Sequence, residues 1–138
     1  MTKFRKLKLK DEKEIKKLLK QLTSSKINFN IKLILKDNNC NCLVIEDEGR
    51  VIGFGSLVLG IVPCRGYLAK IEDVVVDEKY RGKGLGKKLM QELIKIAKKK
   101  KIKNVNLTSH PKRVEARKLY ESLGFKLLET DTFKLELQ

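Results

Sequence analysis

Arg81-Gly82-Lys83-Gly84-Leu85-Gly86 lies between the apolar run Ile71 to Val76 and a basic amphipathic stretch from Leu85 to Lys101. A strand, a glycine-rich turn and a helix in that order form a phosphate-binding device. Glycine lets the backbone approach a ligand closely. The free N–H groups of the helix's first turn then face the anion, and the helix dipole favours negative charge there. The residue spacing excludes two common loops. A Walker loop needs Lys-Ser or Lys-Thr after its second glycine, and neither occurs. The dinucleotide fingerprint Gly-x-Gly-x-x-Gly does not match glycines at 82, 84 and 86. Two readings stay open for the triplet alone, a ligand cradle and a tight turn, and the flanking sequence must decide between them.

The chain has 138 residues, 41% hydrophobic and 36% charged, which suits one globular domain with a real core. No run is long enough to span a membrane, and Met1-Thr2-Lys3-Phe4-Arg5-Lys6 lacks a signal-type apolar stretch, so a cytoplasmic location is expected. Cys40, Cys42 and Cys64 are too few for a disulfide framework, and with His110 the only histidine no metal site is expected. The net charge of +15 attracts polyanions. The lysines are nevertheless spread along the chain, aromatic residues are 6%, and no zinc-finger, basic-zipper or RNA-recognition signature appears. A specific nucleic-acid partner is therefore not expected, and the charge reads as a solubilising surface.

Alternation over residues 3–9 predicts an edge strand, and Asp11 is placed to cap a helix over 11–22 with Ile15, Leu18, Leu19 and Leu22 inside. Residues 24–36 fit both periods, with a short second helix preferred. The apolar runs 42–46 and 51–59 predict a hairpin through Asp47-Glu48-Gly49-Arg50, with Gly53 and Gly55 marking a bulge or a close neighbour. Pro63 to Gly66 breaks the chain before a strand over 67–76. A helix over 85–100 buries Leu85, Leu89, Leu93, Ile96 and Ala97. A strand over 105–108 precedes a helix that starts near Pro111 and stops at Gly124. Two closing strands are expected over 125–128 and 133–137.

Two segments together carry a family resemblance. The run Ile71-Glu72-Asp73-Val74-Val75-Val76 through Arg81-Gly82-Lys83-Gly84-Leu85-Gly86 resembles the acetyl-CoA motif of the GNAT N-acetyltransferases, whose pattern Arg/Gln-x-x-Gly-x-Gly/Ala is filled by Arg81, Gly84 and Gly86. Ala116-Arg117-Lys118-Leu119-Tyr120-Glu121-Ser122-Leu123-Gly124-Phe125 is similar to the family's last helix. The likeness is good over 42–138 and looser before it. It implies an α/β (α+β) GNAT fold in a single domain over 1–138. The expected sheet is mixed and mostly antiparallel, with about seven strands, about four helices and a splay between the fourth and fifth strands.

The resemblance also implies the chemistry, acyl transfer from acetyl-CoA to an amine of a small molecule or a protein, by direct attack. Backbone N–H groups of Arg81, Gly82, Lys83, Gly84, Leu85 and Gly86 then cradle the pyrophosphate, with charge from Arg81, Lys83 and Lys87. Lys83 or Lys88 faces the ribose phosphate, and each of these side chains is equally readable as a solvated cation. Val74, Val75 and Val76 offer a strand edge to the pantetheine arm, and an N–H near Val74 polarises the thioester. Tyr120 is the expected acid at the leaving sulfur. Glu72, then Asp73, are the candidate bases, and as strand neighbours they are expected on opposite faces, with a structural salt bridge as the alternative. Arg113 stands where many relatives have a pantetheine-binding asparagine, so that contact is open. His110 ends a strand near the expected cleft, and an ordinary loop role is preferred for it. A homodimer is a further expectation, because dimers are common in the family. Two other functions stay in view: a non-catalytic acyl-CoA-binding module and a basic nucleic-acid-binding protein. The acceptor is expected to be selected by residues 22–41, 60–67 and the closing strands.

Overall fold

The computed structural model describes residues 1–138, which divide into two compact units, Met1–Thr108 and Ser109–Gln138. In the first unit five strands form one sheet in the order β1-β2-β3-β4-β5: β1 Thr2–Lys6, β2 Cys40–Asp47, β3 Arg50–Val62, β4 Gly66–Val76 and β5 Asn104–Asn106. The first four pair antiparallel, as short connections allow, and β4 pairs with β5 in parallel across the helix between them. The long hairpin of β3 and β4 reaches past the predicted ends, and Pro63 to Arg65 make its turn.

Helices cover both faces of the sheet. On one face α1, Glu12–Leu22, and α2, Ile31–Lys36, press Ile15, Leu18, Leu19 and Ile31 against Val44, Phe54 and Val75. Asn30 starts α2 by accepting the Leu33 N–H at 3.1 Å. On the other face lies α3, Leu85–Lys99, which buries Leu85, Leu89, Met90, Leu93 and Ala97. Helix α3 sits so close that a Cβ at Gly55 would lie 3.2 Å from the side chains of Leu89 and Leu93. A side chain at this position would press on the ends of both leucines, which would have to give by a few tenths of an ångström; this is the close neighbour the sequence implied.

Asp11 does not cap α1 with its side chain. The carboxylate, 1% exposed, instead accepts both Arg5 Nη1 and Nη2 at 2.9 Å and the Lys8 N–H at 2.8 Å. Arg5 Nε donates to Glu46 at 2.9 Å, so one guanidinium clamps β1, β2 and the turn before α1. Burial pushes the Asp11 carboxyl up, but the Arg5 hydrogen bonds and the Lys8 N–H outweigh it and hold the group below the usual carboxylate range. A folded value below the unfolded one means stability that is complete above about pH 4 and is lost as pH falls through the folded value. Asp11→Ala is expected to cost about 3 kcal/mol in urea unfolding at neutral pH, because it leaves a largely buried guanidinium short of a partner. That difference should shrink on acidification; a variant as stable as the parent at pH 7 would show that the clamp contributes nothing.

The second unit contains α4, Val114–Ser122, closed by Gly124 at φ +96°. Beyond it no strand forms, which corrects the two closing strands expected over 125–128 and 133–137: the sheet has five strands rather than about seven. The apolar members of that alternation are solvent-facing, with Phe133 94% and Leu137 85% exposed. Period-two patterning supplies one face of a strand. It does not supply the hydrogen-bonding neighbour or the apolar surface that makes a strand stable. The mixed α/β class of the fold is as expected.

Candidate active site

Strand β4 changes character at its middle. Leu68, Ala69 and Lys70 pair with Asn104, Val105 and Asn106, and there the ladder with β5 ends. From Ile71 to Val76 the edge of β4 turned away from β3 has no strand against it. Strand β5 ends at Asn106, so the second half of β4 is unpaired on this side, at the place where a splay between the fourth and fifth strands is expected. The parted edge offers backbone N–H and C=O groups to an extended, amide-bearing ligand.

A β-bulge lies on the same stretch. Phe54 pairs with Val75 and Ser56 with Glu72, so Asp73 and Val74 together oppose the single residue Gly55. Asp73 takes φ +52°, a left-handed conformation that aspartate tolerates better than most residues. The alternation expected to send Glu72 and Asp73 to opposite faces therefore does not run through this stretch; both side chains are exposed. Ser56, itself buried, donates its hydroxyl to the Glu72 carbonyl at 2.9 Å and fastens the bulge.

Partial desolvation pushes the Glu72 carboxyl up, and the neighbouring Asp73 charge adds to this against a smaller opposing pull from Lys70. The register places Cys42, Ser56 and Glu72 in a row across β2, β3 and β4. Cys42 and Cys40 bring their sulfurs to 3.8 Å on this row. Burial raises both thiols, and the Asp73 charge adds to it. They are therefore poor nucleophiles. The two cysteines share a face because they lie two residues apart on one strand, whereas Ser56 had no signal in the sequence, because cross-strand register is not written in the period of one strand.

The chain leaves β4 through a 3-10 turn, Glu78–Tyr80, which Asp77 caps by accepting the Lys79 N–H at 3.1 Å. Arg81 folds back, its Nε donating to the Val76 carbonyl at 2.9 Å, so the guanidinium ties the loop to the strand end. Lys83 Nζ lies 5.4 Å from the centre of the Tyr80 ring. Gly82 and Gly84 adopt φ +80° and +78°, and a Cβ at either would meet nothing within 4 Å. Conformation rather than crowding thus calls for glycine here, and the backbone stands open. Gly84 is the N-cap of α3 without a side-chain cap, so the first N–H groups of the helix have no side-chain acceptor. Arg81, Lys83, Lys87 and Lys88 surround this end as exposed cations.

Within the second unit, Tyr120 is half-buried on α4 and its ring meets Phe125 edge-on, centroids 6.2 Å apart. Arg113 is exposed at the N-cap of α4 and gives it no side-chain bond. His110 Nδ1 accepts the Lys112 N–H at 3.0 Å. The structure thus gathers Glu72, Asp73, the edge Val74–Val76 and the loop 81–87 in the first unit, and carries Arg113 and Tyr120 on the second.

A strand edge parted from its neighbour and running into a glycine loop at a helix start is the arrangement of an acyl-carrier-binding acetyltransferase fold. The sequence profile described as "Acetyltransferase (GNAT) family" matches residues 8–125, and the chain belongs to that family. Glucosamine 6-phosphate N-acetyltransferase of Trypanosoma brucei brucei is 43% identical over 86 residues, 61% of this chain and 56% of the relative. The match spans about half the length of three curated relatives and 27% of a fourth. Among solved structures, glucosamine-6-phosphate N-acetyltransferase from Arabidopsis thaliana superposes with TM-score 0.85 at 30% identity, covering 98% of both chains. A predicted acetyltransferase from Clostridium acetobutylicum, solved with acetyl-CoA, gives TM-score 0.80 at 19% identity over 99% of this chain and 97% of that one, a likeness of fold. No helix is long and apolar enough to cross a membrane.

Proposed function

We propose that the chain is an acetyl-CoA-dependent N-acetyltransferase that acetylates a primary amine by direct attack. The observation that carries this is the open β4 edge from Ile71 to Val76 leading into the uncapped start of α3. The residues fit the carrier: Gly82 and Gly84 leave the backbone free for a diphosphate, and Val74–Val76 present amide groups to a peptide-like arm. When bound, acetyl-CoA supplies an activated acetyl thioester and a thiolate leaving group.

The protein's own groups do the rest. The N–H groups of residues 82–87 and the nearby cations bind the diphosphate. Glu72, its carboxyl raised above the ordinary glutamate value by partial desolvation first and the Asp73 charge second, takes a proton from the acceptor ammonium. An N–H near Val74 binds the carbonyl oxygen, and the Tyr120 hydroxyl gives a proton to the sulfur. The relatives named for glucosamine 6-phosphate favour a phosphorylated amino sugar as the acceptor. Thiol release from acetyl-CoA, followed across amino sugars, their phosphates, polyamines and peptide N-termini, tests the reading. Turnover with at least one amine is expected. Carrier binding without turnover on any of them would favour a non-catalytic acyl-CoA-binding module instead.

Gly84→Asn probes the loop. Asparagine tolerates the left-handed backbone, so unfolding should change by less than about 1 kcal/mol. The added side chain should crowd the cradle and weaken coenzyme A binding about tenfold or more in calorimetry. Unchanged affinity would mean the loop is only a turn.

A further inference from the structure

Between α1 and α2 the surface opens into a groove of about 490 Å³. Its lining residues are Lys16, Lys20, Thr23, Ser24, Ser25, Lys26 and Ile27, three of them cationic, three hydroxyl-bearing and none a carboxylate. Thr23 Oγ1 accepts the Ser25 N–H at 3.1 Å, which leaves the Thr23 proton available to an outside acceptor. Lys16 is partly engaged, 3.6 Å from Glu12 Oε2 one turn away. Lys20 and Lys26 form no ion pair.

The C-terminal end of α1 contributes roughly half a negative elementary charge. Two unpaired ammonium groups exceed it, so the groove is net positive beyond what helix capping requires. Lysine presents several rotatable donors and hydroxyls add neutral ones, a set suited to a tetrahedral oxyanion. The last turn of α1, which also lines this groove, is tied to the segment that leads into the glycine loop. Gln21 Oε1, in the same last turn of α1, accepts the Glu78 N–H at 3.0 Å at the entry to the glycine loop.

We infer that this groove is a phosphate-monoester subsite, separate from the diphosphate cradle at 82–87. Its placement rests on the acetyltransferase reading, under which two ligands bring such a group: a phosphorylated amine acceptor and the ribose 3′-phosphate of coenzyme A. Either source requires the same charge and donors.

The test is calorimetric and needs no turnover. Glucosamine 6-phosphate is titrated against glucosamine, and coenzyme A against dephospho-coenzyme A, into the unaltered protein and into the double variant Lys20→Ala/Lys26→Ala. These lysines are exposed, so the variant's thermal midpoint should match the parent's. A loss of roughly tenfold in affinity is expected for one phosphorylated ligand and not for its phosphate-free counterpart. Lys20→Arg/Lys26→Arg should retain most of the binding. Loss confined to glucosamine 6-phosphate assigns the groove to the acceptor, and loss confined to coenzyme A assigns it to the 3′-phosphate. Equal affinities of parent and alanine variant for both phosphorylated ligands overturn the inference. Failure of coenzyme A to bind the parent overturns the acetyl-CoA reading instead, and the sugar arm then decides the groove.

Discussion

Glu72→Gln is expected to lower kcat/KM about 10²- to 10⁴-fold, the range for losing a positioned general base. Glutamine keeps the shape of the side chain and cannot take a proton. The Glu72 carboxyl lies above the ordinary glutamate value of about 4.3, through partial burial first and the Asp73 charge second. Below its pKa it is protonated and idle, so activity should rise with pH along a limb displaced upward from that value. Asp73→Asn separates the two carboxylates. Asparagine tolerates the φ of +52° at this bulge, so the backbone should survive. Removal of the Asp73 charge should move the acid limb to lower pH while leaving the plateau rate close to the parent's. If Glu72→Gln keeps the parent rate and Asp73→Asn loses it, the base has been assigned to the wrong residue.

Tyr120→Phe should lower kcat by about a hundredfold with little change in the affinity for acetyl-CoA. The substitution removes one oxygen and keeps the ring, so the edge-on contact with Phe125 and the end of α4 should persist. Thermal unfolding is therefore expected to be unchanged. A proton donor to the departing sulfur acts only as that bond breaks, which is why the loss should fall on kcat rather than on binding. An acceptor whose reaction does not depend on sulfur departure would mask the effect, so kcat is best compared across several amines. Full turnover by the variant would remove Tyr120 from the chemistry.

Helix α3 was legible because Leu85, Leu89, Leu93 and Ala97 recur at a spacing only a helix brings to one side. Met90 belongs to the same buried stripe, and Ile96, expected in it, is only half-buried. The start of α2 had a readable signal in Asn30, whose side chain caps it, in a region where two periodicities competed. The glycine loop was legible because positive φ at Gly82 and Gly84 is written in residue identity itself.

Gly55 marked a bulge or a close neighbour, and the bulge lies opposite it; that the extra residue falls on β4 at Asp73 was not legible. It follows from the register of β3 on β4, set by the fit of Gly55 under α3 and by the Ser56 bond to the Glu72 carbonyl. The row of Cys42, Ser56 and Glu72 depends on the same register. Asp11 read as a helix cap because it precedes a helix. Arg5, distant from any capping pattern, claims it instead. At 133–137 the pattern of a strand is present and its partner is not.

The central claim is that the open β4 edge and the glycine loop bind coenzyme A together. Amide hydrogen exchange, with and without coenzyme A, tests it residue by residue. Protection should appear at the N–H groups within 74–76 and 82–87. Slowed exchange at both segments at once, in proportion to ligand occupancy, is the predicted result. No change at either segment, with protection elsewhere on the chain, would contradict the account.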